Sequence, residues 1–313
     1  MKQKNITIVT PVFNDWDCIE HLILDIGKAL GDTVNSIQLL LINDCSTDVP
    51  PASFSAPQYI QVKRLNLDLN IGHQRAILIG LCYSLENDLN SDFFIVMDSD
   101  GEDNPMCIKE FLSKSESSKA DKVVFAKRTK RSETWSFKLF YRFYKLIFKL
   151  LTGESISFGN FSCIPKSFLP KVCNDPNFWN HYSSAIIKSK IPFESIHTER
   201  SKRYVGKSKM NFNTLFIHGL SSLSVYIESI IIRILKLSVL ILLALTICVF
   251  IVIYVKYFTL LAIPGWATYI FGFLFNILIT VVLFNLLMIL IHLNNRSKPI
   301  TKPLSFYKTF IHN

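Results

Sequence analysis

Phe93-Phe94-Ile95-Val96-Met97-Asp98-Ser99-Asp100-Gly101-Glu102-Asp103 is the stretch whose reading decides the fold. An unbroken run of apolar strand formers has no polar face, so it predicts a strand buried on both sides of a sheet. The run stops abruptly in alternating acids. In an open α/β sheet, ligands gather at the carboxyl edge of the strands, where such a run delivers its carboxylates. Asp98 and Asp100, with Ser99 between them, can aim oxygens at one hard cation, Mg2+ or Mn2+, which in turn can grip a diphosphate. Asp-x-Asp alone is a weak signal, because an acidic, solvated loop after a strand reads the same way.

The flanking sequence repeats the pattern. Further strands are predicted at Asn5 to Thr10, Ile37 to Ile42, Tyr59 to Val62 and Lys122 to Ala126. Helices are predicted from about Trp16 to Leu30, with Asn14 or Asp15 as cap, and from Gly72 to about Glu86. Strands alternating with helices predict an α/β domain with a mainly parallel sheet.

Half of the 313 residues are hydrophobic and the formal net charge is +10. Basic charge on so apolar a chain points to anionic lipid or phosphorylated substrates. No nucleic-acid module is recognisable. The seven cysteines are scattered without Cys-x-x-Cys pairs, which argues against a zinc site or disulfide framework and fits a reducing compartment. Met1 to Asn5 run straight into a strand pattern, so no signal peptide is expected and the catalytic part should stay in the cytosol.

Five segments together carry a resemblance. Thr10-Pro11-Val12-Phe13-Asn14-Asp15, Asn43-Asp44-Cys45-Ser46-Thr47-Asp48, Asn70-x-Gly72-His73-Gln74-x-Ala76 and Met97-Asp98-Ser99-Asp100 follow the order seen in family 2 glycosyltransferases. Arg203-Tyr204-Val205-Gly206-Lys207-Ser208-Lys209 resembles the Arg-x-x-Gly-x-Ser-Lys signature of dolichol-phosphate mannose synthases and bacterial polyprenyl-phosphate glycosyltransferases. The resemblance implies a GT-A-like fold in which Pro11, Phe13, Asp15 and Asp44 hold the base and ribose of a UDP- or GDP-sugar. Phe13 has ordinary core packing as its alternative. Gly72, His73, Ser99 and Ser208 would also serve the donor; His73 could equally be a helix-start histidine satisfied by backbone. Asp98, Asp100 and Glu102 would hold the metal, while Arg203 and Lys209 would meet the diphosphate.

Three positions depart from the family pattern. Glu102 stands where Gln is usual, Asn43 replaces the first of two paired acids, and Gly159-Asn160-Phe161 replaces Gly-Asp-Phe.

Between Trp135 and Leu151, Lys138, Arg142, Lys145 and Lys149 form one basic helical stripe bordered by aromatics. This describes a helix (134–151) lying in the bilayer interface, or a core helix with a solvated basic edge. Arg128 and Arg131, just before it, are candidates for gripping the phosphate of a lipid acceptor, with surface solubility as the alternative.

A mainly apolar juxtamembrane helix is expected across 211–236 and two transmembrane helices across 237–293, followed by a basic cytosolic tail at 294–313. The uncharged run Leu237 to Val255 is, at ~1.5 Å per residue, about 28 Å long, close to a hydrocarbon core of ~30 Å. Arg233 and Lys236 precede the spans and Arg296, Lys298, Lys302 and Lys308 follow them, which places both termini in the cytosol. Asn276 and Asn285 are expected to bond between the helices.

The reading is a 1–210 cytosolic catalytic domain that transfers a sugar to polyprenyl (undecaprenyl) phosphate in a membrane, the bacterial inner membrane by preference. Family 2 members that activate a sugar hydroxyl usually carry an acidic base in a Glu-Asp motif, which Asp175 to Tyr182 lack; a phosphate monoester is already anionic and needs no base, so the resemblance implies a phosphate acceptor. Transfer to a hydroxyl of a lipid-linked glycan, with His181 or Asp175 as base, is the nearest alternative, and an inactive nucleotide-sugar-binding scaffold is another. The subunit number is left open, a homo-oligomer included.

Overall fold

The computed structural model describes residues 4–87, 90–117, 121–128, 135–155, 158–199, 201–206, 212–261 and 263–312, without the side chains at 117, 128, 135–141 and 212–215. The strands are β1 (Lys4–Val12), β2 (Val34–Asn43), β3 (Ile60–Asn66), β4 (Phe93–Val96), β5 (Val123–Arg128), β6 (Ser162–Pro165) and β7 (Phe193–Thr198). The helices are α1 (Ile19–Leu30), α2 (His73–Asn87), α3 (Cys107–Ser117), α4 (Trp135–Thr152), α5 (Leu169–Asn174), α6 (Tyr182–Lys188), α7 (Phe212–Ser224), α8 (Ile227–Phe258), α9 (Trp266–Ser297) and α10 (Pro303–Phe306). The chain divides into two units: residues 1–142, 155–225 and 301–313 form the first, residues 143–154 and 226–300 the second.

The first unit is built on one sheet in the order β3-β2-β1-β4-β6-β5-β7. The apolar strands alternate between two cores. Ile8, Leu39 and Ile95 face one, together with Leu22, Ile23 and Ile26 of α1. Val9, Leu40 and Val96 face the other, with Ile77 and Leu81 of α2. A strand with a core on each face has no polar side to show, which is why the sequence reads as continuous hydrophobic runs. Helix α2 lies close on the sheet: a Cβ added at Gly80 would come within 2.4 Å of Val9 Cγ1.

The pairs β1–β2, β2–β3, β1–β4 and β5–β7 are parallel. Strand β6 runs antiparallel to both β4 and β5 and separates them, so the sheet is mixed but mainly parallel, as the sequence predicts. The chain builds β2 and β3 on one side of β1, then returns to lay β4 on the other. This reversal is a topological switch point, and it opens a crevice between the loops after β1 and β4.

The helix expected from Trp16 starts later. Trp16–Cys18 form a 3-10 turn before α1, and Asp15 makes no side-chain cap. The apolar stretch after residue 211 also differs from one juxtamembrane helix. Helix α7 ends at Ser224, α8 begins at Ile227, and Lys188 Nζ donates to the Val225 carbonyl between them at 2.6 Å. A carbonyl engaged by a lysine favours a break at this point.

Residues 301–312 pack on the first unit where a tail was expected. Tyr307 is buried and donates to Glu86, which also pairs with Lys308, each at 2.6 Å. Leu67 and Ile311 form an antiparallel bridge beyond β3.

In the second unit, α8 and α9 are each 32 residues long and apolar enough to cross a membrane. Asn285 Nδ2 donates to Ser238 Oγ across the pair at 2.8 Å. Arg233 NH1 donates to the Leu150 carbonyl at 3.1 Å, next to Gly153 at φ +84, and so closes the C-terminus of α4.

Candidate active site

The loops at the switch point are tied together through Asn14. Its Oδ1 accepts from the Thr47 and Asp48 amides at 2.8 and 3.1 Å, and its Nδ2 donates to Thr47 Oγ1 at 2.8 Å. Asn14 and Cys45 both sit at φ +54, a left-handed conformation that residues other than glycine seldom take. Both residues lie at the tips of adjacent strands, just after β1 and β2. Phe13 is 40% exposed, so its ring is a surface feature of this edge rather than core packing. Pro11 lies inside β1, buried and in register with Ile42.

Asp44, 3% exposed, accepts from the Ile71 amide at 2.8 Å and the Gly72 amide at 3.0 Å. Burial raises its pKa, and those two hydrogen bonds and His73 oppose the shift. Both oxygens thus shape the turn that opens α2, where Gly72 takes φ +89.

The acids of the opening stretch lie just beyond β4. Asp98 pairs with His73 Nε2 at 3.2 Å, tying the β4 tip to the first residue of α2. Burial acts to lower the His73 pKa, but Asp98, then Asp103 and Asp44, carry it above its ordinary value. Asn160 Nδ2 lies 3.2 Å from the same His73 nitrogen, and its Oδ1 accepts from Ser183 Oγ at 3.1 Å. Ser99 is buried, and Asp103 accepts the Asp98 amide at 3.1 Å.

Asp100 accepts from the Glu102 amide at 3.0 Å and pairs with Arg203 NH1 at 2.9 Å. Burial, and after it the charge of Asp98, pushes its pKa up to about 6. Arg203 NH2 reaches Asp15 Oδ1 at 2.6 Å, so one guanidinium joins the loops after β1 and β4. The Tyr204 amide donates to the Asp100 carbonyl at 2.9 Å and its hydroxyl to Asp25 at 2.8 Å. Gly101, at φ +85, lies under that ring, where an added Cβ would sit 2.5 Å from Tyr204.

Thus Asp15, His73, Asp98, Asp100 and Arg203, distant in sequence, converge at the carboxyl edge of β1 and β4. A glycosyl transferase family 2 profile matches residues 7–172, which covers the sheet from β1 to β6 and all of these acids. The chain belongs to glycosyl transferase family 2. An uncharacterised glycosyltransferase of Bacillus subtilis, YkoT, is 26% identical to this family 2 chain over 242 residues, covering 72% of the chain and 70% of YkoT. Another, sll0501 of Synechocystis, is 28% identical over 148 residues, 44% of the chain and 43% of its own length. Among solved structures, glucosyl-3-phosphoglycerate synthase of Mycobacterium tuberculosis, held with Mn2+, UDP and phosphoglyceric acid, superposes with a TM-score of 0.52 at 12% identity. That match covers 72% of the chain and 78% of the neighbour, and shows a shared GT-A-like fold.

Two candidate bases of this transferase are already engaged. Asp175 Oδ1 accepts from the Asn177 amide at 2.9 Å and from its Nδ2 at 2.7 Å, while Oδ2 accepts from Ser189 Oγ. His181 caps α6 through Nδ1, which accepts from the Ser184 amide at 3.3 Å. Burial, and next His218, push its pKa down to about 3. Arg131, Ser208 and Lys209 lie outside the described residues, as does the side chain of Arg128. Sequence reading missed Tyr204 as the cover of Gly101 and Asn14 as the staple between loops. A glycine directly after the paired acids was the one available sign of the former.

Proposed function

We propose that this glycosyltransferase moves a sugar from a UDP- or GDP-sugar to polyprenyl phosphate, with inversion, at the cytosolic face of a membrane, the bacterial inner membrane by preference. The observation that carries the reading is Arg203 bridging Asp15 and Asp100 at the switch point of a chain with two span-length helices. Arginine forks match phosphate oxygens, so the donor diphosphate is the natural competitor for this guanidinium. Ser208 and Lys209, which follow Arg203 in the Arg-x-x-Gly-x-Ser-Lys segment, are assigned to it as well. Phe13 offers an exposed ring to the base and Asp15 a carboxylate to the nucleoside, while Asp44 holds the turn that presents Gly72 and His73.

The residues present fit a divalent cation. Asp98 and Asp100 are close enough for Asp98 to hold up the Asp100 pKa, a repulsion that a cation relieves. Among the described residues no three His, Cys, Asp or Glu side chains form a ready cage. That suits Mg2+ or Mn2+, which binds through one or two carboxylates plus substrate phosphates. Asp98 and Asp100 would hold the ion, with Glu102 beside them, and bound there it supplies positive charge to the departing diphosphate. The solved neighbour carries Mn2+ together with UDP.

Support for the acceptor comes from what the base candidates do. Asp175 is spent on a turn and His181 is too weakly basic to take a proton at neutral pH. A phosphomonoester needs neither. Arg128 and Arg131 are assigned to its phosphate. The chain leaves the catalytic unit after Val225 and re-enters it at Thr301, so two crossings return it to the side it left. Arg233 and Lys236 before the hairpin and Arg296, Lys298 and Lys302 after it favour the cytosol as that side.

The test is purified protein in detergent with Mg2+ or Mn2+, undecaprenyl phosphate and a panel of nucleotide sugars, read by mass spectrometry. A monophosphate-linked sugar lipid, lost in Asp98→Ala, is the expected product. Transfer only to a hydroxyl of a pyrophosphate-linked glycan, or no product from any acceptor, refutes the reading.

A further inference from the structure

Beside the paired acids lies a buried polar group that the donor does not use. His181 is 5% exposed, and its Nε2 lies 3.2 Å from Nε2 of His218, a half-buried residue in the middle of α7. Ser184 and Ser222, both buried, close the group with a 2.8 Å hydroxyl contact. His218 is near enough to His73 and Asp98 for both to perturb its titration.

Backbone amides settle where the protons are. An N–H can only donate, so the Ser184 amide makes His181 Nδ1 an acceptor. His181 is neutral, since burial and then His218 hold its pKa at about 3, and its one proton therefore sits on Nε2. That N–H donates to His218 Nε2, which must be a lone pair. His218 is neutral too, lowered to about 4 by burial and then His73, so its proton is on Nδ1. The relay runs one way and ends in a donor.

The same logic applies one residue earlier. The Tyr182 amide donates at 2.7 Å to Gln74, which fixes the facing atom as Oε1. Gln74 is 9% exposed, and its Nε2 is buried with no hydrogen-bond partner. A buried amide nitrogen left without an acceptor is costly, so such a group implies a ligand that supplies one. His218 and Gln74 therefore present donors and no acceptors. A sugar hydroxyl awaiting deprotonation needs an acceptor, and a metal needs a lone pair. A pair of free donors is matched by acceptor oxygens, which a phosphate supplies without any hydrogen of its own to place.

We propose that His218 Nδ1–H, oriented by His181, and the Gln74 amide bind the phosphomonoester group of the acceptor. His218 and Gln74 are binding residues, and His181 is a positioning residue that acts through His218. This inference rests on the phosphate-acceptor reading above and names the residues that would select it.

The experiment uses the full chain in detergent with Mn2+ and the donor found active. Acceptor kinetics are measured for polyprenyl phosphate and, separately, for glycerol 3-phosphate as a soluble phosphomonoester. His218→Phe and Gln74→Glu should raise the acceptor KM about tenfold or more while donor affinity stays unchanged. Gln74→Glu keeps the oxygen that serves Tyr182 and replaces only the donor. His218→Asn, whose amide can stand in for Nδ1–H, should recover most of the loss, which a purely structural role would not allow. Histidine 15N spectra should show His181 protonated at Nε2 and His218 at Nδ1. Activity on glycerol 3-phosphate alone would keep the phosphomonoester site and move the source from lipid to soluble substrate. Unchanged acceptor KM in His218→Phe and Gln74→Glu, or the opposite tautomers, overturns the inference while the transfer reaction stands. If the wild-type chain transfers to no phosphomonoester, the functional reading fails and this site falls with it.

Discussion

Replacing Asp100 with Asn should make the metal-free protein more stable at neutral pH. The Asp100 side chain is 15% exposed, and its pKa is raised from 3.8 to about 6 by burial first and Asp98 second, with Arg203 at 2.9 Å opposing but not cancelling the shift. At ~1.36 kcal/mol per unit, the ionised carboxylate costs the fold about 3 kcal/mol. The folded state keeps this proton to higher pH than the unfolded chain does. Stability therefore falls as pH rises from 3.8 to about 6 and stays low above that window. Asparagine reproduces the protonated acid at every pH. The variant should match wild type near the lower bound and exceed it above the upper one, by roughly 5–10 °C in apparent Tm for a unit of this size. The assay is differential scanning fluorimetry of both proteins in detergent with a chelator at several pH values. Added Mg2+ or Mn2+ should then raise the Tm of wild type and not of the variant. An Asn variant that is less stable at neutral pH, or a difference that does not change with pH, refutes the electrostatic argument. A cation that lifts both proteins equally refutes the assignment of Asp100 as a ligand.

Gly101→Ala forces a Cβ to within 2.5 Å of the Tyr204 ring at φ +85, so turnover should fall about tenfold or more while donor-free folding survives, as compared by kcat and circular dichroism. Tyr307→Ala should destabilise the catalytic unit by about 3 kcal/mol, because it empties a buried ring site and leaves Glu86 with Lys308 alone; an unchanged Tm would mean the C-terminal segment does not dock. Replacing Lys138, Arg142, Lys145 and Lys149 with Gln should weaken binding to anionic liposomes at low salt, and unchanged co-sedimentation would count against an interfacial α4.

Much of the fold was legible because buried strands leave a plain trace. The runs around Ile8, Leu39 and Ile95 are apolar on both faces and stop at polar loops, so their positions and the acid-bearing edge followed directly. Strand β6 left no such trace: Ser162-Cys163-Ile164-Pro165 is short and ends in proline, and its pairing is set by its neighbours. Residues 301–312 looked like a tail because their anchors, Tyr307, Phe310 and Ile311, find partners far away at Glu86, Asp68 and Leu67. The site was legible as a set of acids and not as a network. Nothing in the spacing says that Arg203 joins Asp15 to Asp100, or that Asn14 ties the loops after β1 and β2, because those contacts span up to 188 residues.

On the proposed reading, the network also accounts for a donor and a cation binding together. The carboxylates of Asp15, Asp44, Asp98, Asp100 and Asp103 crowd the switch point, and among the described residues Arg203 and, when protonated, His73 bring positive charge to them. A diphosphate entering alone would meet that excess negative charge in a partly buried crevice, where screening is weak. Arg203 can turn toward the diphosphate only by releasing Asp100, which leaves that carboxylate less compensated than before. On the proposed reading, Asp98 and Asp100 would hold a divalent ion, whose charge would compensate Asp100 in place of Arg203 and leave the guanidinium for phosphate. On that reading the Arg203 pairs with Asp15 and Asp100 would hold the residue across the two loops until the cation and donor together supply the charge that releases it.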